Sequence, residues 1–286
     1  MTILLFGASS QVGQLLSDRP DVVTLSRADA DLRDPARCAR IIETARVDAV
    51  INAAAFTDID GAETARATAS VVNARAPAAM ARAAALVGIP LVHLSCAEVF
   101  SGKGRLPWRP EHTPAPIQVY GASRLSGEEA VRAAGGTHAI VRTSWVHSAH
   151  GHNVLRSVLR AGRARRHLTL SNAEQGSPTP AAALADAACH IAQALIKTPS
   201  KSGTYHYAGR EGASRAEFAR AIFEAAEMDV AVANAAASSW HHGAPRPKNG
   251  QLDASLTKEV FGLEPPDWST TLPSLVRLTQ ATRRAA

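Results

Sequence analysis

The run Gly7-Ala8-Ser9-Ser10-Gln11-Val12-Gly13 follows the apolar stretch Ile3–Phe6 and leads into a helix-like segment. A strand, a glycine turn and a helix in that order make a phosphate cradle. Glycine permits the sharp turn and lets backbone N–H groups approach a pyrophosphate at the helix N-terminus. A glycine turn can also serve structure only, and its place between strand and helix is what favours nucleotide binding. Ser10 stands at the middle glycine of the usual pattern and can cap the helix. The next apolar run, Val22–Leu25, ends in Ser26-Arg27. An acidic side chain here usually holds a ribose that lacks a 2′-phosphate, whereas serine and arginine suit the phosphate. NADP(H) is therefore favoured over NAD(H), against the alternative of an exposed loop arginine.

Other reactive residue types carry less. His147, His150 and His152 cluster, but a metal site is not favoured over a cleft-mouth loop. Arg156, Arg160 and Arg163 share one helix face, with Arg165 and Arg166 beyond it; a solvated face and a phosphate-steering rim both fit. Cys38, Cys96 and Cys189 are odd in number and widely spaced, which excludes a disulfide framework or a zinc spacing. The formal net charge of +6 suits an anionic ligand such as a nucleotide, although an arginine-rich composition accounts for it equally well. No aromatic-interleaved basic motif points to nucleic acid. With no apolar run long enough to span a bilayer and no signal-peptide pattern, the chain reads as soluble and cytoplasmic.

These residues need a scaffold, and the pattern supplies one. Ile3–Phe6, Val22–Leu25, Ala49–Ala53, Pro90–Ser95 and Ala139–Thr143 are short apolar runs of the kind found in central parallel strands, and helix-like stretches separate them. Asp34-Pro35 opens one helix. The alanine-rich segment from Glu63 to Val87 makes another, stopped by Gly88 and kinked or split at Pro77. After residue 146 the alternation weakens, and Ala235–Gly250 reads as a loop. The expected fold is α/β: a Rossmann-like, doubly wound parallel sheet with a smaller C-terminal substrate domain. The dinucleotide-binding domain is expected to comprise 1–146 with 168–198, and the substrate domain 147–167 with 199–286.

With these pieces in place, the chain resembles the dTDP-4-dehydrorhamnose reductases, an extended branch of the short-chain dehydrogenase/reductases. The likeness runs through Asn52-Ala53-Ala54-Ala55-Phe56-Thr57-Asp58-Ile59-Asp60-Gly61-Ala62-Glu63, Val72-Asn73-Ala74 and Tyr120-Gly121. It continues in Arg142-Thr143-Ser144-Trp145-Val146, Gly176-Ser177-Pro178-Thr179, Arg246-Pro247 and Leu252-Asp253. Order and spacing together make it specific. The resemblance implies an NADPH-dependent reductase of a 4-keto-6-deoxy nucleotide-sugar. Gly7, Ser10, Gln11, Val12, Ser26, Arg27, Asp31, Leu32, Ala53, Ala54 and Ala55 would line the cofactor, joined by Tyr120 and Arg124. Thr57, Glu98, Trp145 and Arg246 would meet the substrate, Trp145 at the sugar and Arg246 at the phosphates. A buried structural tryptophan and a surface arginine are the competing accounts of those two.

The resemblance also implies the chemistry. Tyr120 would protonate the developing alkoxide, aided by a cation one turn on, because a free phenol titrates near about 10. Family members place lysine there; this chain has Arg124, which keeps the charge but not lysine's compact, rotatable ammonium. They also carry Ser-Thr-Asp-Tyr-Val-Phe on the fourth strand, against Ser95-Cys96-Ala97-Glu98-Val99-Phe100 here. Cys96 puts a weak thiol donor at the threonine hydroxyl, and Ser95 points to the opposite face. The catalytic set is thus Tyr120, Arg124 and Cys96, with altered or impaired catalysis expected. Cys96 as a covalent nucleophile has no sequence support. A catalytically weak NADP-binding regulatory or scaffold homologue is the alternative, and a nucleotide-sugar epimerase or dehydratase has only Glu98 in its favour. Leu15 stands where some reductases hold a magnesium-linking glutamate, so no metal is expected; a homodimer is left open.

Overall fold

The computed structural model describes residues 1–235 and 243–284. Six strands form one parallel sheet: β1 (Ile3–Phe6), β2 (Val22–Leu25), β3 (Ala49–Asn52), β4 (Leu91–Cys96), β5 (His138–Thr143) and β6 (Gly203–His206). Their spatial order is β6-β5-β4-β3-β1-β2. The chain leaves β1 towards β2 on one side and returns to β3 on the other. That reversal opens a crevice between the carboxyl ends of β1 and β3, where open α/β sheets hold ligands.

The strands are apolar throughout because helices cover both faces. Leu5 packs with Leu16, Leu184 and Leu195 on one side, and Leu4 and Phe6 pack with Ile42, Val50 and Met80 on the other. Side chains that alternate along a strand therefore both meet core. The exception is β2, which forms the edge and leaves Val23 48% exposed, so it is not the central strand its composition suggests.

The local stop and start signals act as expected. Asp34 accepts from the Arg37 N–H with Pro35 in the first turn of its helix, and Gly88 ends the helix Ala76–Val87 in the left-handed conformation at φ 74°. Pro77 differs from expectation. The segment is divided upstream into Ile59–Thr64, Arg66–Ser70 and a π-helical turn, Val71–Arg75, and the chain enters Ala76–Val87 with the proline in its first turn. The wide turn, with the Ala76 N–H on the Val71 carbonyl, leads into the helix where proline's missing N–H is tolerated.

A second layer of structure follows β5. Helices Val154–Ala164, Arg215–Ala225 and Trp268–Arg284 pack around Leu159, Phe218, Ile222 and Val276. His167–Ser171 pairs with Ala231–Ala235 in a separate ribbon, whereas Gly203–His206 pairs with β5. Pairing therefore sends 167–171 away from the six-stranded sheet and brings 203–206 into it. Of the expected loop Ala235–Gly250, residues 236–242 lie outside the described residues, Ala235 closes the ribbon, and Asn249–Gly250 forms a short strand beside Gln175–Gly176.

Candidate active site

The helix Val119–Ala133 sets the centre of the site. Its opening residue has no side-chain cap of its own; instead the Val119 N–H donates to Glu63 Oε1 at 2.9 Å, which fills an orphan donor from another element. A Cβ on Gly121 would lie 2.1 Å from the Glu98 carbonyl oxygen, so only glycine lets the helix press against the turn after β4. Asn73 ties the loop after β3 to the same helix: its amide accepts from Phe56 N–H (2.8 Å) and donates to Ser123 Oγ (2.9 Å).

This packing brings Tyr120 and Cys96 together. Both are buried, the phenol and thiol lie side by side, and Glu98 stands near the thiol. Burial pushes the Tyr120 phenol well above its usual range; Glu98 adds to that effect, and the Arg124 guanidinium opposes it. Burial and the Glu98 charge likewise hold the Cys96 thiol protonated, which removes the thiolate a covalent nucleophile requires. Ser95 points the other way, donating to Glu128 Oε1 at 2.6 Å.

Arg124 lies on the same helix, four residues after Tyr120, and is buried. Its Nη2 donates to the Leu94 carbonyl, while Nε and Nη1 have no partner among the described residues. Buried donors of a charged group are costly to leave unpaired.

At the crevice, Gly7 adopts φ 98° and a Cβ there would lie 2.7 Å from the Ala54 nitrogen. The turn after β1 is therefore pressed onto the Ala53–Ala55 loop after β3. Ser10 caps the helix by accepting from Gly13 N–H at 2.9 Å. Gln11 links the turn to the segment after β5, accepting from Ser148 Oγ at 3.0 Å. Val12 and Leu32 turn their side chains into core, so only their backbones can meet a ligand. Ser26 and Arg27 are exposed at the end of β2. Ser26 donates to Asp29, an acidic neighbour that the sequence reading passed over, and Asp31 is engaged by Arg33, which holds its carboxyl down at about 2.

A cleft opens beyond the end of β4. Glu98, Trp145 and Arg246 line it together with Arg215 and Glu174, so three of the four expected substrate residues converge. Thr57 is exposed on the loop after β3 and is not among the lining residues. Arg246 is pinned, with Nη2 on Asp60 at 2.8 Å and Nη1 on the Ala244 carbonyl at 2.7 Å. Trp145 is held at φ 42° with Gly176 against its ring. Arg215 lies 3.9 Å over that ring and went unnoticed in the sequence, since a lone arginine in a helix carries no pattern. The three histidines do not converge: His147 is buried against Phe218 with its pKa lowered to about 4 by burial, while His152 is exposed. Among the described residues no three His, Cys, Asp or Glu side chains could share a metal ion.

Comparison with known proteins fits this geometry. The family model described as the RmlD substrate binding domain matches residues 1–281. A dTDP-4-dehydrorhamnose reductase of Burkholderia thailandensis is 37% identical, the match covering 97% of this chain and 98% of that protein. One from Escherichia coli K12 is 32% identical, with 94% of each chain covered. The structure of a dTDP-4-dehydrorhamnose reductase from Bacillus anthracis in complex with NADP superposes with a TM-score of 0.87 at 31% identity, covering 96% of this chain and 99% of that one. A dTDP-glucose 4,6-dehydratase from Streptomyces venezuelae, at 19% identity and a TM-score of 0.78, shares the fold alone.

Proposed function

The chain belongs to the RmlD substrate binding domain family, together with the dTDP-4-dehydrorhamnose reductases it matches, and on that premise we propose that it reduces the keto group of a 4-keto-6-deoxy nucleotide-sugar with NADPH. The observation that carries this reading is the buried Tyr120 hydroxyl beside Cys96 at the end of β4, with the unpaired nitrogens of Arg124 one helical turn on.

NADPH supplies the hydride when bound. The Gly7–Gly13 turn takes the pyrophosphate, Ser26 and Arg27 the 2′-phosphate, and Arg124 Nε and Nη1 the nicotinamide ribose. Asp31 borders the adenosine side, and the backbones of Val12, Leu32 and Ala53–Ala55 complete the wall. Tyr120 gives its phenolic proton to the alkoxide forming on the sugar; its raised pKa keeps that proton in place at neutral pH. The Arg124 charge then offsets part of the cost of the buried phenolate. The Cys96 thiol meets the same oxygen with a weaker hydrogen bond than a hydroxyl would. Trp145, Glu98 and Arg246 hold the nucleotide-sugar in the cleft, and the region after β5 acts as the substrate-holding unit.

Turnover is expected to be slow, because Arg124 is committed to the Leu94 carbonyl and Cys96 is a poor donor. NADP binding without turnover is the second reading, and it draws on the same two positions. Purified protein mixed with NADPH and dTDP-4-dehydrorhamnose, followed by loss of reduced-cofactor absorbance, decides between them. Substrate-dependent oxidation supports the reductase. No oxidation above buffer, in protein that binds NADPH, rejects it.

A further inference from the structure

We propose that Arg215 is a specificity-determining residue which, opposite Glu98, hydrogen-bonds the ring hydroxyls of the hexose. The proposal rests on the keto-sugar reading above and adds to it the recognition of the sugar itself.

Arg215 opens the helix Arg215–Ala225 and projects into the cleft formed by Glu98, Trp145, Glu174 and Arg246. Its guanidinium carbon lies over the Trp145 ring, 3.9 Å from the centroid. Gly176 packs against the same indole, where a Cβ would come within 2.2 Å of the ring. Nε faces Glu174 Oε2 at 3.5 Å, outside good hydrogen-bond geometry. Nε has no hydrogen-bond partner among the described residues, although the side chain is only 22% exposed. A planar fork of donors therefore lines the cleft, with the indole on one face.

Two ligand parts could use it. A diphosphate would take a bidentate arginine, but here it would also face the carboxylates of Glu98 and Glu174. Sugar hydroxyls both donate and accept, so a guanidinium on one side and a carboxylate on the other satisfy them together. Location agrees: Glu98 follows Cys96 by two residues and lies beside its thiol, at the reacting end of the cleft. Trp145 supplies the apolar face on which a pyranose can rest. Arg246, pinned to Asp60, is left for the nucleotide side.

The test compares equilibrium binding of dTDP-rhamnose and of dTDP, both in the presence of NADP⁺, to wild type, Arg215→Met and Glu98→Gln. Methionine keeps a flexible side chain on Trp145 and removes the donors. Wild type is expected to bind dTDP-rhamnose more tightly than dTDP, and Arg215→Met to lose about 10- to 100-fold of that preference with dTDP affinity little changed. Glu98→Gln should lose a smaller part. NADPH titration confirms that each variant retains the cofactor site. The proposal is overturned if the preference survives in Arg215→Met, if dTDP binding falls as much as dTDP-rhamnose binding, or if wild type shows no preference. Failure of the keto-sugar turnover assay would reject the reductase reading while leaving this binding comparison readable on its own.

Discussion

At Tyr120 the fold and the chemistry pull in opposite directions. Burial keeps the phenol protonated, which a proton donor needs, but it also raises the cost of the phenolate left behind. Arg124 supplies a cation that lowers that pKa, and it does so while bound to a strand carbonyl. Tyr120→Phe should therefore cut kcat by about 10²- to 10⁴-fold while NADPH still binds, as read by steady-state kinetics and cofactor titration. Restoring the family pair with Cys96→Thr and Arg124→Lys together should raise kcat about tenfold or more, the worth of one better hydrogen bond to a charged oxygen. An unchanged rate in the double variant would place the limit elsewhere. The positions of Tyr120, Cys96 and Arg124 could be read from the motif order. The carbonyl that Arg124 binds could not, because Leu94 is thirty residues away and only helix packing brings it near.

Among the elements, the one that carries Tyr120 is anchored by a buried charge network. Glu128 accepts from Arg142 Nη2 at 2.6 Å and Nε at 2.9 Å and from Ser95 Oγ, joining the helix to β4 and β5. Arg142 also stacks on Phe100 at 4.9 Å. Removing one partner leaves the other charge buried and uncompensated, so Glu128→Ala should cost about 3–5 kcal/mol in chemical denaturation. Gly7→Ala should instead act on the cofactor, since a methyl there strikes Ala54 and φ 98° strains any other residue. A weakened NADPH affinity, measured by titration, is the expected outcome. Five of the six sheet strands and the caps at Asp34 and Gly88 were legible because each depends on local spacing. The π-turn before Pro77 and the edge position of β2 were not, because a neighbour decides both.

Across the whole molecule, three buried histidines make stability depend on pH. Burial lowers the pKa of His147 to about 4; burial and then the Arg142 charge lower that of His206 to about 3; His93 falls well below the usual value from burial and Arg124. In each case the unfolded chain binds a proton that the folded chain refuses. Stability is therefore full above the ordinary histidine pKa of about 6.5 and is lost as pH falls towards 4. His147 alone accounts for about 3 kcal/mol of that loss, and thermal unfolding measured between about pH 7 and 4.5 should show a falling midpoint that flattens in His147→Phe. No described helix is long and apolar enough to cross a membrane, which matches the charge spread along the chain. The amino-acid order alone determined the parallel α/β scaffold and the glycine turn, since both rest on periodicity or on side chains near one another in the chain; the family was legible from the order of its motifs along the whole chain. Tertiary structure alone decided that Glu98, Trp145 and Arg246 share a cleft while Thr57 stays outside it, and that Arg215 joins them. It also decided that 203–206, not 167–171, extends the sheet. The physical reason is the same throughout: burial, strand pairing and the contacts of a cleft are set by residues distant in sequence, and no local pattern records them.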